Sequence, residues 1–439
     1  MSAAGTTAPT APAGREWFGL AVLMLPVLLV SMDFSVLYLA MPTIVNALDP
    51  TATQQLWILD IYGFMIAGLL ITMGNIGDRI GRGRILLAGA AVFGGASILA
   101  AFAPGAGALI AARALMGVGG ATLMPASLAL IANMFPRSRD RARAIGIWTS
   151  AFAGGAAIGP VLGGVLLHHY WWGVVFLINV PVLAVLFAVG PFVLPEYRSA
   201  SSDPFDIVGV ALSLLGILPA VYAIKEFATS GVARGPVVAG LFGSAMLVLF
   251  LWHESRATAP LLNLRLFRNP TFSACVAVAL VGMMAEGGIA YLSNTYLQSV
   301  LGYDVLAAAL AGLPMAVTVA TFSIFADRVA RLTGPRLALA GSVTLAGISN
   351  IGFLALGTAS PLWIFMVLSA VAGIGYGVVF SLVTDIVVGS APPEQSGAAS
   401  AISETSFELG TALGLALLGS LATAVFLSDD DGHGFTESL

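Results

Sequence analysis

Six ionisable residues stranded in long apolar runs are the places where this chain can do chemistry. Asp33 sits in MDFSVLYLAMP, Asp60 in WILDIY, Arg113 in IAARALMGVGGA, Glu286 in VGMMAEGGIAY, and Glu404 with Glu408 in AISETSFELGTALG. A charge in hydrocarbon costs about 3 kcal/mol even on lenient scales, so such residues face a partner or a wet cavity and mark a path for protons or polar cargo. A desolvated carboxylate holds its proton tightly, and an arginine beside it loosens that hold. An acid that passes between the two settings binds and releases a proton near neutral pH. Glu404 and Glu408 are four apart and share one helical face, where they supply a negative field.

The elements that position these groups are membrane spans. Of the 439 residues 58% are hydrophobic and 9% charged, with a mean hydropathy of +0.96, more apolar surface than a soluble domain can hide. A span needs about 20 apolar residues. Thirteen stretches qualify: 18–41, 55–76, 84–103, 107–133, 141–166, 172–194, 206–226, 234–253, 271–298, 304–331, 336–356, 361–388 and 396–427. Arginines cluster in the connections that are cytoplasmic if the N-terminus is inside, which sets the orientation by the positive-inside rule.

Depth follows from the span boundaries. Arg113 lies about 9 Å inside the outer boundary at about 1.5 Å per residue. Asp33 is at a matching depth and Asp60 is nearer the same side, which makes Asp33 the expected proton-linked residue, with Arg113 and Asp60 in its layer. Glu404 and Glu408 lie about 12 and 18 Å from the opposite boundary. Glu286 is flanked by Met283, Met284, Gly287 and Gly288, an adaptable wall, and both a cavity-facing and a structural role stay open for it. Phe34, Tyr38, Tyr62 and Phe407 offer aromatic faces for cations.

Other chemistries drop out. Cys275 is the single cysteine, so no intramolecular disulfide forms, and no GxxxxGK[ST] phosphate loop, catalytic triad or metal-ligand spacing is present. No enzyme activity, cofactor or nucleic-acid partner is expected. The first residues form a short polar tail without a signal-peptide pattern, and the chain closes on the acidic SDDDGHGFTESL with no fourteenth apolar stretch.

Two connections share a pattern. GNIGDRIGRGR, from Gly74, and FADRVARLTGPR, from Phe325, each carry an Asp-Arg pair followed by further arginines. An offset of eight spans relates them, and it pairs span 4 with 12 and span 5 with 13. The chain between spans 8 and 9 interleaves apolar residues with Arg265 and Arg268, as an amphipathic interfacial helix does. In span 5, GGAAIGPVLGG sets Gly155, Gly159 and Gly163 on one face for close helix contact, with Gly164 beside them and Pro160 as a kink.

These motifs resemble the Major Facilitator Superfamily, and within it the fourteen-span drug:proton antiporters of multidrug efflux type. GGAAIGPVLGG resembles that group's span-5 antiporter motif, and GNIGDRIGRGR its signature loop, with Gly74, Asp78, Arg79, Gly81, Arg82 and Arg84 at the matching places. IAARALMGVGGA resembles the span-4 arginine motif, MDFSVLYLAMP the span-1 acidic motif, and AISETSFELG the acidic span-13 stretch facing the substrate pathway.

The resemblance implies an all-α membrane protein of the major facilitator fold. Residues 1–17 would be a disordered cytoplasmic tail, 18–200 a six-helix half and 201–256 two inserted helices. Residues 257–427 would form a second half with five of its six helices, the last being absent from this chain, and 428–439 an acidic tail. It also implies that the glycine-rich span 5 seals one half against the other and that Asp78 pairs across the seam. The function implied is proton-coupled export of amphipathic, cationic drugs and antiseptics across the cytoplasmic membrane by a monomer driven by the proton gradient. Two alternatives remain at this stage: a dedicated exporter of one antibiotic or metabolite, and a non-transporting sensor or scaffold.

Overall fold

The computed structural model describes residues 14–197, 206–230, 233–257, 260, 262, 264–303, 305–357, 360–392 and 395–428. Of the tails expected over 1–17 and 428–439, residues 14–17 are instead the first turn of a helix and Ser428 the end of one; the rest of both lies outside the described residues, as do the side chains of Tyr38 and Pro160. Each apolar stretch becomes one long helix. They are α1 (Gly14–Leu48), α2 (Ala52–Ile80), α3 (Arg82–Ala101), α4 (Ala106–Met134), α5 (Ser138–His169), α6 (Asn179–Val193, entered through the single turn Val174–Leu177) and α7 (Ile207–Ser230). Then come α8 (Arg234–Glu254), α9 (Pro270–Thr295), α10 (Val305–Thr333), α11 (Pro335–Gly352), α12 (Leu362–Ser390) and α13 (Ser396–Ser428). Among the described residues twelve spans, those of α1 to α12, are long and apolar enough to cross a membrane. The first half of α13 carries the more polar SGAASAISETSFE.

Local sequence explains the breaks. Thr51 opens α2 with a capping box, its Oγ1 accepting from the Gln54 amide while Gln54 Oε1 accepts from the Thr51 amide. Gly81 at φ 114° parts α2 from α3, and Gly334 at φ 86° parts α10 from α11, a left-handed backbone suited to glycine. Both follow the paired Asp-Arg motifs, so the two repeats turn by the same device. The expected amphipathic helix before α9 is instead a 3₁₀ turn, Leu264–Arg268. Asn269 caps α9 from just beyond it, accepting from the Thr271 amide at 3.0 Å, which leaves room for only a short turn, and Leu264 and Leu266 pack inward beside buried Leu262 and Phe272.

Packing obeys the same two-fold repeat. Helix α1 lies along α5 as α9 lies along α13, and α2 meets α13 as α10 meets α5. The first set holds each half together; the second joins the halves. Glycines set the close approaches at equivalent steps. Gly155 and Gly159 of α5 meet the Leu28 and Met32 carbonyls, and Gly410 and Gly414 of α13 meet those of Leu280 and Met284. At the joins Gly74 abuts Gly397 and Ala401, and Gly146 abuts the Ser323 carbonyl. The inserted pair α7 and α8 packs as a hairpin beside the α2–α13 join. Here Gly68 of α2 receives Leu218, and the rings of Trp57 and Tyr222 stack 6.0 Å apart.

Candidate functional site: an acid–base pair, an acidic cavity and an ionic seam

The first group of residues is buried inside the half built from α1 to α6. Arg113 of α4 is 1% exposed and its Nη1 donates to Asp33 Oδ2 of α1, itself 6% exposed. Arg113 Nε donates to the Ile58 carbonyl at 3.0 Å and its Nη2 lies 3.5 Å from that of Leu59, both on α2. The guanidinium carbon stands 4.8 Å from the centre of the Tyr62 ring, which packs in turn on Phe34 and Phe93. One turn along from Arg113, Gly117 lets α2 come close enough for these bonds, since a Cβ there would lie 2.8 Å from the Tyr62 carbonyl oxygen. The matched depths of Asp33 and Arg113 therefore correspond to direct contact. Asp60 is half-buried on α2, two residues beyond Ile58, whose carbonyl accepts from Arg113.

The second group lines a cavity of about 420 Å³ between the halves. Glu404 and Glu408 enter it from α13, with Phe407 between them, and Glu286 enters from α9. The opposite wall is α5, with Trp148, Thr149, Phe152 and Ala156. None of the described lining residues is cationic, so the field within is negative. Glu404 is 5% exposed, and its Oε1 has no hydrogen-bond partner among the described residues. Aromatic faces surround the acids: Phe380 and Phe407 are 5.6 Å apart, Tyr376 stacks on Phe380 at 5.5 Å, and Trp148 stacks on Phe152 at 6.3 Å. Trp148 Nε1 donates to Ser127 Oγ at 2.9 Å, which fixes the indole as a rigid wall. Of the sequence candidates, Glu286, Glu404, Glu408 and Phe407 face this cavity, whereas Asp33, Phe34 and Tyr62 are not among its lining residues and belong to the first group. Trp148, Phe152 and Phe380 escaped sequence reasoning. Their only signal is spacing, because Trp148, Phe152 and Ala156 fall at i, i+4 and i+8, on a different stripe from the glycines.

The third group closes the arginine-rich end. Asp78 Oδ1 accepts from Arg82 Nε at 2.9 Å, and Arg82 Nη1 donates to the Ala129 carbonyl at 3.2 Å. Asp78 Oδ2 accepts from the Ala398 amide at 3.2 Å, in the first turn of α13, where the helix dipole favours an anion. Asp78 thus bonds both its own half and the opposite one. Arg141 of α5 donates to Asp385 of α12 at 2.8 Å, and Arg143 stands 3.8 Å from Asp327, which also bonds Arg331. Arg79 stays on its own helix, with Nε donating to Asn75 Oδ1 at 3.1 Å.

One expectation changes. The Gly155, Gly159 and Gly163 stripe was expected to seal half against half, yet it packs on α1 of the same half, with Gly163 beside Val36 and Leu39 and Gly164 also beside Leu39. Small residues dock helices wherever the partner backbone is nearest, and α1 is that partner. The half-to-half contact of α5 lies nearer its start, where Gly146 meets α10.

The sequence profile of the Major Facilitator Superfamily matches residues 23–415. The chain belongs to that superfamily. As a Major Facilitator Superfamily member with twelve apolar spans, it is a multi-pass membrane transporter. It is similar to the multidrug efflux pump LfrA of Mycolicibacterium smegmatis, 41% identical over 435 residues, covering 97% of this chain and 85% of that protein. It is also similar to the methyl viologen resistance protein SmvA of Salmonella typhimurium, 32% identical over 413 residues, 94% of this chain and 83% of that one. Among solved structures, the human organic anion transporter MFSD10 superposes with a TM-score of 0.69 at 18% identity, covering 98% of this chain and 97% of that one, a likeness of superfamily fold.

Proposed function

We propose that this chain exports amphipathic drugs, organic cations foremost, in exchange for protons, acting as a monomer in the cytoplasmic membrane with its arginine-rich end in the cytoplasm. The observation that carries the reading is the separation of two acid groups: a cavity with three carboxylates and no cationic lining, and a buried Asp33–Arg113 pair outside it. Drug efflux agrees with the names of its relatives LfrA and SmvA. A cation in the cavity is drawn by Glu404 and Glu408 and held by the faces of Phe407, Phe380 and Trp148. Asp33 alternates between pairing with Arg113 and carrying a proton, and the two states favour different access. The Asp78 and Arg141 contacts then hold the cytoplasmic end shut and must break for the cavity to open inward. Residues 18–200 and 257–427 are the two moving halves, and the hairpin within 201–256 rides beside one join. No bound cofactor takes part.

The test is transport in proteoliposomes. With an imposed proton gradient the purified chain should move ethidium uphill, and ethidium should drive protons the other way. Uphill ethidium movement that ignores a protonophore would defeat the proton-coupled reading.

A further inference from the structure

We propose that Glu286 is a second proton-carrying residue of the transport cycle, the counterpart in the second half of Asp33 in the first. The inference rests on the proton-coupled reading above and deepens it.

Register is the first argument. Helix α1 crosses α5 with Leu28 and Met32 over Gly155 and Gly159, and α9 crosses α13 with Leu280 and Met284 over Gly410 and Gly414. The equivalence of α5 and α13 extends further, because Phe152 and Phe407, three residues before the first glycine of each pair, both line the cavity. Arg143 and Ala398, twelve before those glycines, both meet the aspartate of the facing helix, Asp327 and Asp78. Asp33 is one residue beyond Met32, and Glu286 two beyond Met284. The repeat therefore brings the two carboxylates to one level on paired helices, turned apart by about 100°.

That turn decides their surroundings. Asp33 points at Arg113 of α4. Glu286 points into the cavity, and α12, which stands where α4 stands in the other half, carries no arginine, lysine or histidine between Leu362 and Ser390. Among the described residues Glu286 makes no hydrogen bond or ion pair. The charged groups sharing its cavity are Glu404 and Glu408, both acids, and the packed neighbours α10 and α12 contribute Met315, Ser369 and Phe380.

An acid so placed has only a proton to balance its charge until cargo arrives. The step is a simple exchange. A cation enters, the Glu286 O–H bond breaks, the proton leaves as hydronium through the cavity mouth, and the carboxylate balances the cation. One positive charge goes in and one comes out. With Asp33 as the other carrier, the proton count depends on whether the cargo reaches Glu286.

The experiment uses the full chain in weakly buffered detergent, with ethidium as the probe. Quenching of Trp148 in the cavity wall reports binding, and a pH dye reports protons released per ethidium bound. Glu286→Gln should bind ethidium yet release about one proton fewer, with the slope of log Kd against pH reduced by about one. Glu286→Asp should restore the release, and Asp33→Asn should keep a residual release that vanishes in the Asp33→Asn/Glu286→Gln pair. Full release in a folded Glu286→Gln variant overturns this proposal alone. Loss of ethidium binding by Glu286→Gln at every pH, with the melting temperature unchanged, also overturns it in favour of a pure cargo ligand. No release from the unaltered chain overturns it together with the proton-coupled reading.

Discussion

Asp78 and Asp327 hold equivalent places in the two repeats but are answered by different chemistry. Asp78 meets the backbone amides that open α13, and Asp327 meets Arg143 in the first turns of α5. One join is thus fixed by a helix end and the other by a flexible guanidinium. The first is short, buried and directional; the second spans 3.8 Å with Arg143 half exposed. The Arg143–Asp327 contact should therefore break at lower cost than the Asp78 bond.

The Asp78 bond carries the first prediction. Asp78→Asn removes the charge that α13 and Arg82 both hold, at about 1–3 kcal/mol, and shifts the access equilibrium about 5- to 150-fold. Turnover in proteoliposomes should fall while equilibrium ethidium binding stays within about threefold, because Asp78 is remote from the cavity lining. Asp327→Asn should slow turnover less. A variant that loses binding while cycling normally would contradict this division.

A second expectation concerns Asp33. Its replacement by Asn leaves Arg113 buried without a counter-charge, a change that costs about 3–5 kcal/mol in comparable pairs. Asp33→Asn should therefore lower the melting temperature and abolish uphill export of neutral drugs, leaving for cations only the residual exchange that Glu286 supports. Asp60→Asn should cost less stability, since Asp60 is half-buried whereas Asp33 is buried against Arg113. Uphill export of a neutral drug by Asp33→Asn would move the coupling role elsewhere.

The cavity glutamates should sort cargo by charge. At an effective dielectric near 20, one carboxylate about 5 Å from a cation is worth about 3 kcal/mol before screening, and about twice that for a divalent cation. Glu404→Gln or Glu408→Gln should weaken monovalent cations about tenfold and divalent ones more steeply, and leave neutral drugs nearly unchanged. Equal losses for all three classes, measured by Trp148 quenching, would point to a packing defect.

Gly159→Leu tests the contact between α5 and α1. Its side chain would press on the Met32 carbonyl and Ser35, immediately beside Asp33. Efflux should fail with the protein still in the membrane, and the pH dependence of any residual exchange should change because Asp33 is displaced from Arg113. An unchanged pH profile would separate the glycine from the acid.

Much of this was legible in sequence because membranes penalise charge so strongly. Asp33 and Arg113 could be set at one depth by counting residues, and the Asp78 and Asp327 motifs announced the repeat. The aromatic wall was not legible. In a helix apolar all round, lipid-facing and cavity-facing positions have the same composition, so Trp148 and Phe152 carry no periodic mark against Val161 and Val165. The Arg141–Asp385 bond joins residues 244 apart in the chain and needed the fold to bring them together. The direction of the glycine stripe was hidden for a related reason: small residues announce that a backbone comes near, but not which one.

Helix α5 is in contact with the cargo chamber, with the opposite half and with the helix that bears Asp33. Its Trp148–Phe152 face feels whatever enters, and its glycine face leaves no slack against α1. On the proposed mechanism, a bulky guest that pushed the aromatic wall would shift Asp33 relative to Arg113, whereas a small ion would occupy the chamber without moving it. The helix would then act as a size gauge wired to Asp33: molecules too slight to press on it would leave the Asp33–Arg113 pair undisturbed, and only their charge, felt at Glu286, could move a proton.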